Sequence, residues 1–140
     1  MNAINQPMDF QLGLLHFVHL LVAVDGHIND HEKDAIHSIK REEEIPGSVF
    51  HRFVREITGK TEREVFMEGL NLLNRCNEEE KLCAFVHLYR LAQADAHLDV
   101  KEVKLLLYSL DQTNIEFEDV VLAAQLATAQ KQARNQKLVA

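Results

Sequence analysis

The sequence predicts an all-α protein, a single-domain bundle of about seven helices. Apolar residues recur at helical spacing along the chain, and no run of alternating apolar and polar residues competes with this pattern. The 5 glycines and 2 prolines are too few for the many turns of an all-β sandwich. The length of 140 residues suits one domain, residues 1–140. Its core is expected over roughly residues 10–130.

The first three helices are predicted from apolar spacing and from residues that end helices. A first helix over roughly residues 10–24, capped by Asp9, is almost wholly apolar and is expected to lie buried at the centre. A second helix starts at Asn29 and stops at residues 45–47, Ile-Pro-Gly, because Pro cannot continue a helix and Gly turns the chain. Inward positions are Ile36 and Ile39 in the second helix, then Val49, Phe50, Phe53, Val54 and Ile57 in a short third helix.

The last four helices are predicted from their caps. Three capping boxes start the fourth, fifth and sixth helices: Thr61 with Glu64, Asn77 with Glu80, and Asp99 with Glu102. Asn114 is expected to end the sixth helix in a left-handed conformation. The seventh runs from near Phe117 to about Gln136. Inward residues of the sixth helix are Val103, Leu106, Leu107 and Leu110.

Charge and apolar content exclude several classes of protein. With 15 Lys and Arg against 22 Asp and Glu, the net charge is −7, which disfavours nucleic-acid binding. The longest apolar stretch, Leu12–Val24, is interrupted by two histidines and is shorter than the roughly 20 residues of a bilayer span. Met1–Asp9 lacks the basic start of a signal peptide. A cytoplasmic protein is expected, with Cys76 and Cys83 as buried thiols.

An eight-residue pattern occurs twice, at residues 25–32 and 95–102. Its shared form is Asp, a small residue, His, an aliphatic residue, Asn or Asp, two free positions, and Glu. The two copies lie half the chain length apart, and each follows an apolar helix and precedes an amphipathic one. This spacing predicts an internal pseudo-twofold duplication of helical hairpins.

The acidic residues that open each copy have two interpretations. Asp25 and Asp95 would lie at helix C-termini, where the helix dipole disfavours an acid by about 0.3–1 kcal/mol. Either each carboxylate accepts backbone N–H bonds from the following turn, or the turns bind a cation.

If the two turns meet, they bring together a set of nitrogen and oxygen ligands suited to Zn, Mn, Fe or Ni rather than Ca alone. The alternative is that the imidazoles are exposed loop residues. The spacing matches no zinc-protease, di-iron or EF-hand motif. The candidate metal ligands are Asp25, His27, Glu32, Asp95, His97 and Glu102.

The other histidines carry weaker signals. His16 and His19, on the apolar first helix, are expected at the core or its rim. His87 and Cys83 are four residues apart on one helix, but the sequence marks no third catalytic partner for them.

The two acidic stretches resemble the paired Asp-Gly-x-Ile-x-x-x-Glu signature of the TerB family of tellurite-resistance proteins. The same all-helical domain is found at the N-terminus of DjlA-type membrane co-chaperones. Val24 replaces the usual Ala and Ala96 the usual Gly, and the second change weighs against a fully symmetric site. The resemblance implies a stress-response domain for protein contact, with divalent-metal binding at the acidic turns. The closing segment also fits the family, through Leu106, Leu107, Leu110 and residues 114–117.

Three functional hypotheses follow. The first, which the resemblance and the lack of a catalytic motif favour, is a non-enzymatic interaction module whose partner is a protein or a membrane-associated complex. The second is a metal-dependent hydrolase or redox enzyme that uses the same Asp, His and Glu cluster, and it requires an open coordination position. The third is a homodimer formed through the first helix and the Phe50 and Phe53 stripe.

Overall fold

The computed structural model describes residues 8–25, 30–94 and 100–139, with side chains at these positions except 23–25, 31–32 and 131–139. Every regular element in these ranges is an α-helix, which confirms the all-α prediction. The described ranges contain seven helices: α1 (Met8–Asp25), α2 (Asp30–Glu42), α3 (Gly47–Ile57), α4 (Glu62–Asn74), α5 (Glu78–Gln93), α6 (Val100–Thr113) and α7 (Phe117–Val139).

Helix α1 is the central element of the bundle. It contacts α3, α4, α5 and α6, and all of its side chains from Phe10 to Val18 are buried. An almost wholly apolar helix is stable in water only when it is covered on every side. The helix begins at Met8, so Asp9 lies in its first turn. The prediction that Asp9 caps the helix is therefore wrong. No helix in the described ranges is both long and apolar enough to cross a membrane.

Capping boxes start α4 and α5, as predicted. The Thr61 hydroxyl accepts a hydrogen bond from the Glu64 N–H at 3.1 Å, and the Glu64 carboxylate accepts one from the Thr61 N–H at 2.9 Å. Asn77 and Glu80 form the same reciprocal pair at 2.8 and 3.0 Å. A cap of this type contributes about 1 kcal/mol to helix stability.

The end of α2 differs from the prediction. The helix stops before residues 45–47, because Glu44 adopts a left-handed conformation with φ 48°. The Ile45 N–H then donates to the Lys40 carbonyl at 3.1 Å and closes the helix. Pro46 and Gly47 do not stop α2. Pro46 precedes α3 as its N-cap residue, with φ −68°, and Gly47 is the first residue of that helix.

The C-terminal half repeats this helix stop. Asn114 is left-handed, with φ 59°, as predicted, and the Ile115 N–H donates to the Leu110 carbonyl at 3.0 Å. In the described ranges, Glu44 and Asn114 are the two non-glycine residues with positive φ, and half the chain length separates them. The starts of three pairs of helices have this same spacing: α1 with α5, α2 with α6, and α3 with α7. It equals the spacing of the sequence repeat, while the pseudo-twofold symmetry stays a prediction.

Several apolar side chains lie outside the core, contrary to the prediction. Leu106 and Leu110 are buried, but Val103 is 37% exposed and Leu107 is 48% exposed. Val54 of α3 is exposed as well. Residues 103 and 107 lie beside the buried face of α6 rather than on it, because this helix carries more apolar positions than one face can hold. The buried face of α6 consists of Glu102, Leu106, Ser109, Leu110 and Thr113.

Candidate functional site

The structure brings together Glu43, Cys83 and His87. Cys83 and His87 lie on one face of α5, since residues four apart on a helix are neighbours. Glu43 follows directly after α2 and reaches across to that face. His87 Nε2 donates to Glu43 Oε2 at 2.7 Å, and Cys83 Sγ lies 3.5 Å from the same oxygen. One ligand atom from each side chain lies within 4.8 Å of the other two, so the group could hold a metal ion.

Packing and hydrogen bonds on three helices fix the position of Glu43. Ile39, one turn earlier on α2, is buried in the main core, and α2 packs on α5. The Glu43 carbonyl accepts a hydrogen bond from Gln11 Nε2 of α1 at 2.9 Å. Because the backbone of Glu43 is held in this way, its side chain is directed towards α5 from a fixed position.

The surroundings of Glu43 and Cys83 shift the pKa of both groups. The hydrogen bond from His87 lowers the pKa of the Glu43 carboxyl, although burial acts in the opposite direction. Burial raises the pKa of the Cys83 thiol to about 12, and the negative charge of Glu43 adds to this effect. Without a bound metal ion the Cys83 thiol is therefore protonated at neutral pH, and it is not an activated nucleophile.

A second carboxylate lies on the other side of the His87 ring. Glu42 Oε1 is 3.8 Å from His87 Nδ1, and it is 3.7 Å from a guanidinium nitrogen of Arg90. These three side chains also line a cavity of about 200 Å³ between α2 and α5. His87 is thus placed between two carboxylates, one at each ring nitrogen, and next to a space that solvent can enter.

Most of the metal ligands predicted from the repeat lie outside the part of the chain that the structure describes. This applies to His27, Asp95 and His97, and to the side chains of Asp25 and Glu32, whose backbones belong to α1 and α2. Glu102 is described, and it lies in the first turn of α6 with only 1% of its surface exposed. The convergence of the two acidic turns stays a prediction.

Two members of the Glu43, Cys83 and His87 group could be found from the sequence, and the third was missed. The four-residue spacing of Cys83 and His87 is visible in the sequence, but Glu43 stands in a charged run at residues 40–44 that carries no signal for a contact with α5. Which acid of that run reaches α5 is decided by where α2 ends. The left-handed Glu44 marks this end, and glutamate is not a residue that predicts it.

The predicted core histidines are confirmed. His16 is fully buried, its Nδ1 donates to the Leu12 carbonyl at 2.6 Å, and its ring packs edge-on against Phe53 at 5.4 Å. His19 is half-buried at the rim, against the same Phe53 ring. Most side chains of α1 and the Phe53 ring are buried within the chain, while Phe50 is half-buried, and the homodimer hypothesis stays a prediction.

Comparisons with known proteins found no matching family model, no matching curated protein and no matching solved structure. The resemblance to the TerB family therefore stays a prediction, and the geometry of the described residues carries the functional conclusion.

Proposed function

We propose that the chain is a non-enzymatic, TerB-like stress-response module that binds another protein. The observation that carries this proposal is an exposed apolar groove formed by α5, α6 and α7. Contiguous apolar surface on a folded domain is typical of an interaction site.

The groove has a volume of about 140 Å³, and the surface that it presents is apolar. Val103 and Leu107 form one wall, and Tyr89 and Phe117 form the other, with their rings edge-to-face at 5.8 Å. Phe117 is 41% exposed, although it is a large aromatic side chain at the first position of a helix. Such half-exposed aromatic and aliphatic side chains can anchor a partner's apolar side chain.

Acidic residues lie at one end of the groove. Asp111, Glu116 and Glu118 are exposed near its Phe117 end, and the whole chain has a net charge of −7. Complementary charge speeds association and disfavours wrong partners. We therefore expect a partner segment with an apolar anchor flanked by Lys or Arg.

The second acidic turn is connected to this groove through the chain. The groove is bordered by Gln93, the last residue of α5, and by Val103 in the beginning of α6, and residues 95–99 join these two helices. A divalent cation at the acidic turns would fix the ends of the helices that line the groove. Cation-dependent partner binding through Asp25, His27, Glu32, Asp95, His97 and Glu102 is the second part of the proposal.

Site-specific photo-cross-linking in cells tests the partner contact. A photoreactive residue replaces Leu107 in the groove, and a matched one replaces Met67, which is 49% exposed on α4. We expect a defined cross-linked product from position 107 that a Val103→Asp change removes. Equal products from positions 67 and 107, or none at 107, would contradict the proposal.

Thermal melting with Zn, Mn, Ni and Ca tests the acidic turns. The measurement uses a Cys83→Ser background, so that a cation held by Cys83 does not contribute. We expect stabilisation of about 2.7 kcal/mol at a cation concentration 100 times Kd. It should be lost when Asp25→Ala and Asp95→Ala are added. A matched double variant, Asp34→Ala with Asp111→Ala, removes the same charge from exposed positions and should keep the stabilisation. If no cation changes the melting temperature, the cation-dependent part of the proposal is wrong, while the partner contact at the groove is unaffected.

A further inference from the structure

The group of Glu43, Cys83 and His87 differs in kind from the acidic turns, because it combines a thiol, an imidazole and a carboxylate. Two of the three come from one turn of α5, and the third comes from the end of α2. His87 is 5% exposed, and the other two are half-buried. The structure describes all three side chains, so their proximity is observed and does not require the predicted convergence of the turns.

The distance between Cys83 and Glu43 suits a small tetrahedral cation. With bonds of about 2.0 Å to oxygen and about 2.3 Å to sulfur, a carboxylate oxygen and a thiolate sulfur lie about 3.5 Å apart. The Cys83 Sγ to Glu43 Oε2 distance is 3.5 Å. An imidazole nitrogen and a carboxylate oxygen on such a cation lie about 3.3 Å apart. The 2.7 Å hydrogen bond between His87 and Glu43 therefore has to widen, by a shift that rotation of the Glu43 side chain can supply.

A carboxylate also lies near the other ring nitrogen of His87, slightly beyond hydrogen-bond distance. Histidines that bind a metal through one ring nitrogen commonly donate the other N–H to a carboxylate, which fixes the tautomer and the ring plane. Glu42 Oε1 lies 3.8 Å from Nδ1 and is itself held by Arg90. When Nε2 faces a cation, Nδ1 carries the proton and points to Glu42.

We propose that Glu43, Cys83 and His87 bind a single Zn²⁺-type divalent cation, with Glu42 as the positioning residue for His87. The cation displaces the thiol proton to solvent, and one thiolate and one carboxylate balance its two positive charges. Three protein ligands leave the fourth position to water or to a partner's side chain. The cavity of about 200 Å³ lies on the other side of the His87 ring, where Glu42 and Arg90 line it.

Such a site would fasten α2 to the rest of the bundle. Among the described side chains of α2, Ile39 alone is buried, and α5 is the main helix that α2 contacts. A helix with so little buried apolar surface gains more from a metal cross-link than a helix of the core. The site shares no residue with the acidic turns or with the groove.

Cobalt substitution of the full chain tests the site. Co²⁺ bound by a thiolate gives a charge-transfer band, which reports sulfur ligation directly, and Zn²⁺ should displace it. We expect the band in the wild type and in Cys76→Ser, the matched control at the other half-buried thiol. We expect it to be lost in Cys83→Ser. It should persist in Asp25→Ala with Asp95→Ala, so failure of the acidic-turn proposal and failure of this one are seen separately.

Competition with a chromophoric chelator measures the contribution of the other residues to Zn²⁺ affinity. Glu43→Gln, which is nearly isosteric and can still accept a hydrogen bond from His87, should weaken binding by more than 10-fold. Glu42→Gln should weaken it by about 10-fold, the usual effect of a residue that orients a ligand. Helical circular dichroism confirms that each variant folds. Absence of the band in the wild type, its survival in Cys83→Ser, or an unchanged Zn²⁺ affinity in Glu43→Gln would overturn the proposal.

Discussion

The segment from α1 to α3 and the segment from α5 to α7 have the same spacing of helix starts but differ in side-chain chemistry. Corresponding helices start half the chain length apart, and the left-handed residues that stop the second helix of each segment have the same spacing. At this spacing the counterparts of Cys83 and His87 are Gly13 and Phe17. Two segments with the same spacing of helix starts can therefore differ in their chemistry, and the candidate metal site involves α5 but not the corresponding positions of α1.

The side chains at the counterpart positions are apolar or form hydrogen bonds within their own helix. The Phe17 ring packs against Phe66 and Phe85 in the core. The side chain of Thr113, the counterpart of Glu43, donates its hydroxyl hydrogen to the Ser109 carbonyl at 2.8 Å, although the Thr113 carbonyl accepts a hydrogen bond from Lys81 of α5 at 3.4 Å. Helix starts and stops are thus fixed by local residues, while the chemistry of a face depends on what packs against it.

Helix α4 accounts for part of this difference. It packs mainly on α1, and it lies between the two repeated segments without a counterpart of its own. At Gly13 a Cβ would lie 2.9 Å from Leu73 Cδ2, and at Gly69 a Cβ would lie 2.9 Å from the Phe17 ring. Glycine at these two positions lets α1 and α4 approach closely, whereas the face of α5 around Cys83 accommodates larger side chains.

The largest expected effect breaks this close approach. Gly13→Ala should destabilise the protein by about 1–3 kcal/mol through overpacking against Leu73, which is fully buried. This exceeds the gain of up to about 1 kcal/mol that alanine brings in a helix. Gly47→Ala is the control, because a Cβ there meets nothing within 4 Å, and it should be neutral or stabilising. Urea unfolding measures both, and an equal response of the two variants would refute the importance of this contact.

The second effect is on the pH dependence of stability. Burial lowers the pKa of His16 below its ordinary 6.5, against the Leu12 hydrogen bond and the charges of Glu56 and Glu68, which raise it. The unfolded chain therefore binds a proton at this position before the folded protein does. The free energy of unfolding should fall as the pH drops below 6.5, by at most about 1.4 kcal/mol per pH unit for one proton.

His16→Leu should remove this component, because leucine carries no ionisable group at this fully buried position. His37→Leu, at an exposed position, controls for the loss of an imidazole. Urea unfolding at several pH values between about 5 and 8 measures the slope. If the His16 variant keeps the wild-type slope, burial of this ring does not contribute to the pH dependence.

The smallest expected effect sharpens the comparison of the two helix stops. A left-handed conformation costs an ordinary residue about 1 kcal/mol, and glycine adopts it freely. Glu44→Gly should therefore stabilise the protein by about 0.5–1 kcal/mol, and Asn114→Gly should stabilise it less, because Asn tolerates this conformation. Gln112→Gly, within α6, should be destabilising. Chemical unfolding ranks the three variants, and a larger gain at Asn114 than at Glu44 would contradict the expected order.

The helices could be predicted well from the sequence because their determinants are local. Capping boxes at Thr61 and Asn77, the stop at Asn114 and the buried α1 all follow from residues within one or two turns. The end of α2 was misplaced because the left-handed residue is a glutamate, while the neighbouring Pro and Gly carry the usual signal of a helix end. Packing choices such as the exposure of Leu107 depend on helices distant in sequence, which periodicity does not report.

The candidate metal site could be predicted only in part, for the same reason. Cys83 and His87 share a helix, so their proximity follows from spacing alone. Glu43 comes from a distant part of the sequence. Its position beside Cys83 depends on the packing of Ile39 and on the hydrogen bond from Gln11. The role of the acidic turns stays a prediction.

Three consecutive glutamates after Arg41 have unlike duties. Glu42 lies near Arg90, Glu43 accepts a hydrogen bond from His87, and Glu44 ends α2 in a left-handed conformation. Deleting any one of them produces the same shortened protein, because the two that remain are chemically identical. The shortened protein has only two glutamates for the three positions, so one of the three interactions must be lost. The interaction that is lost is the one that contributes least to the stability of the fold.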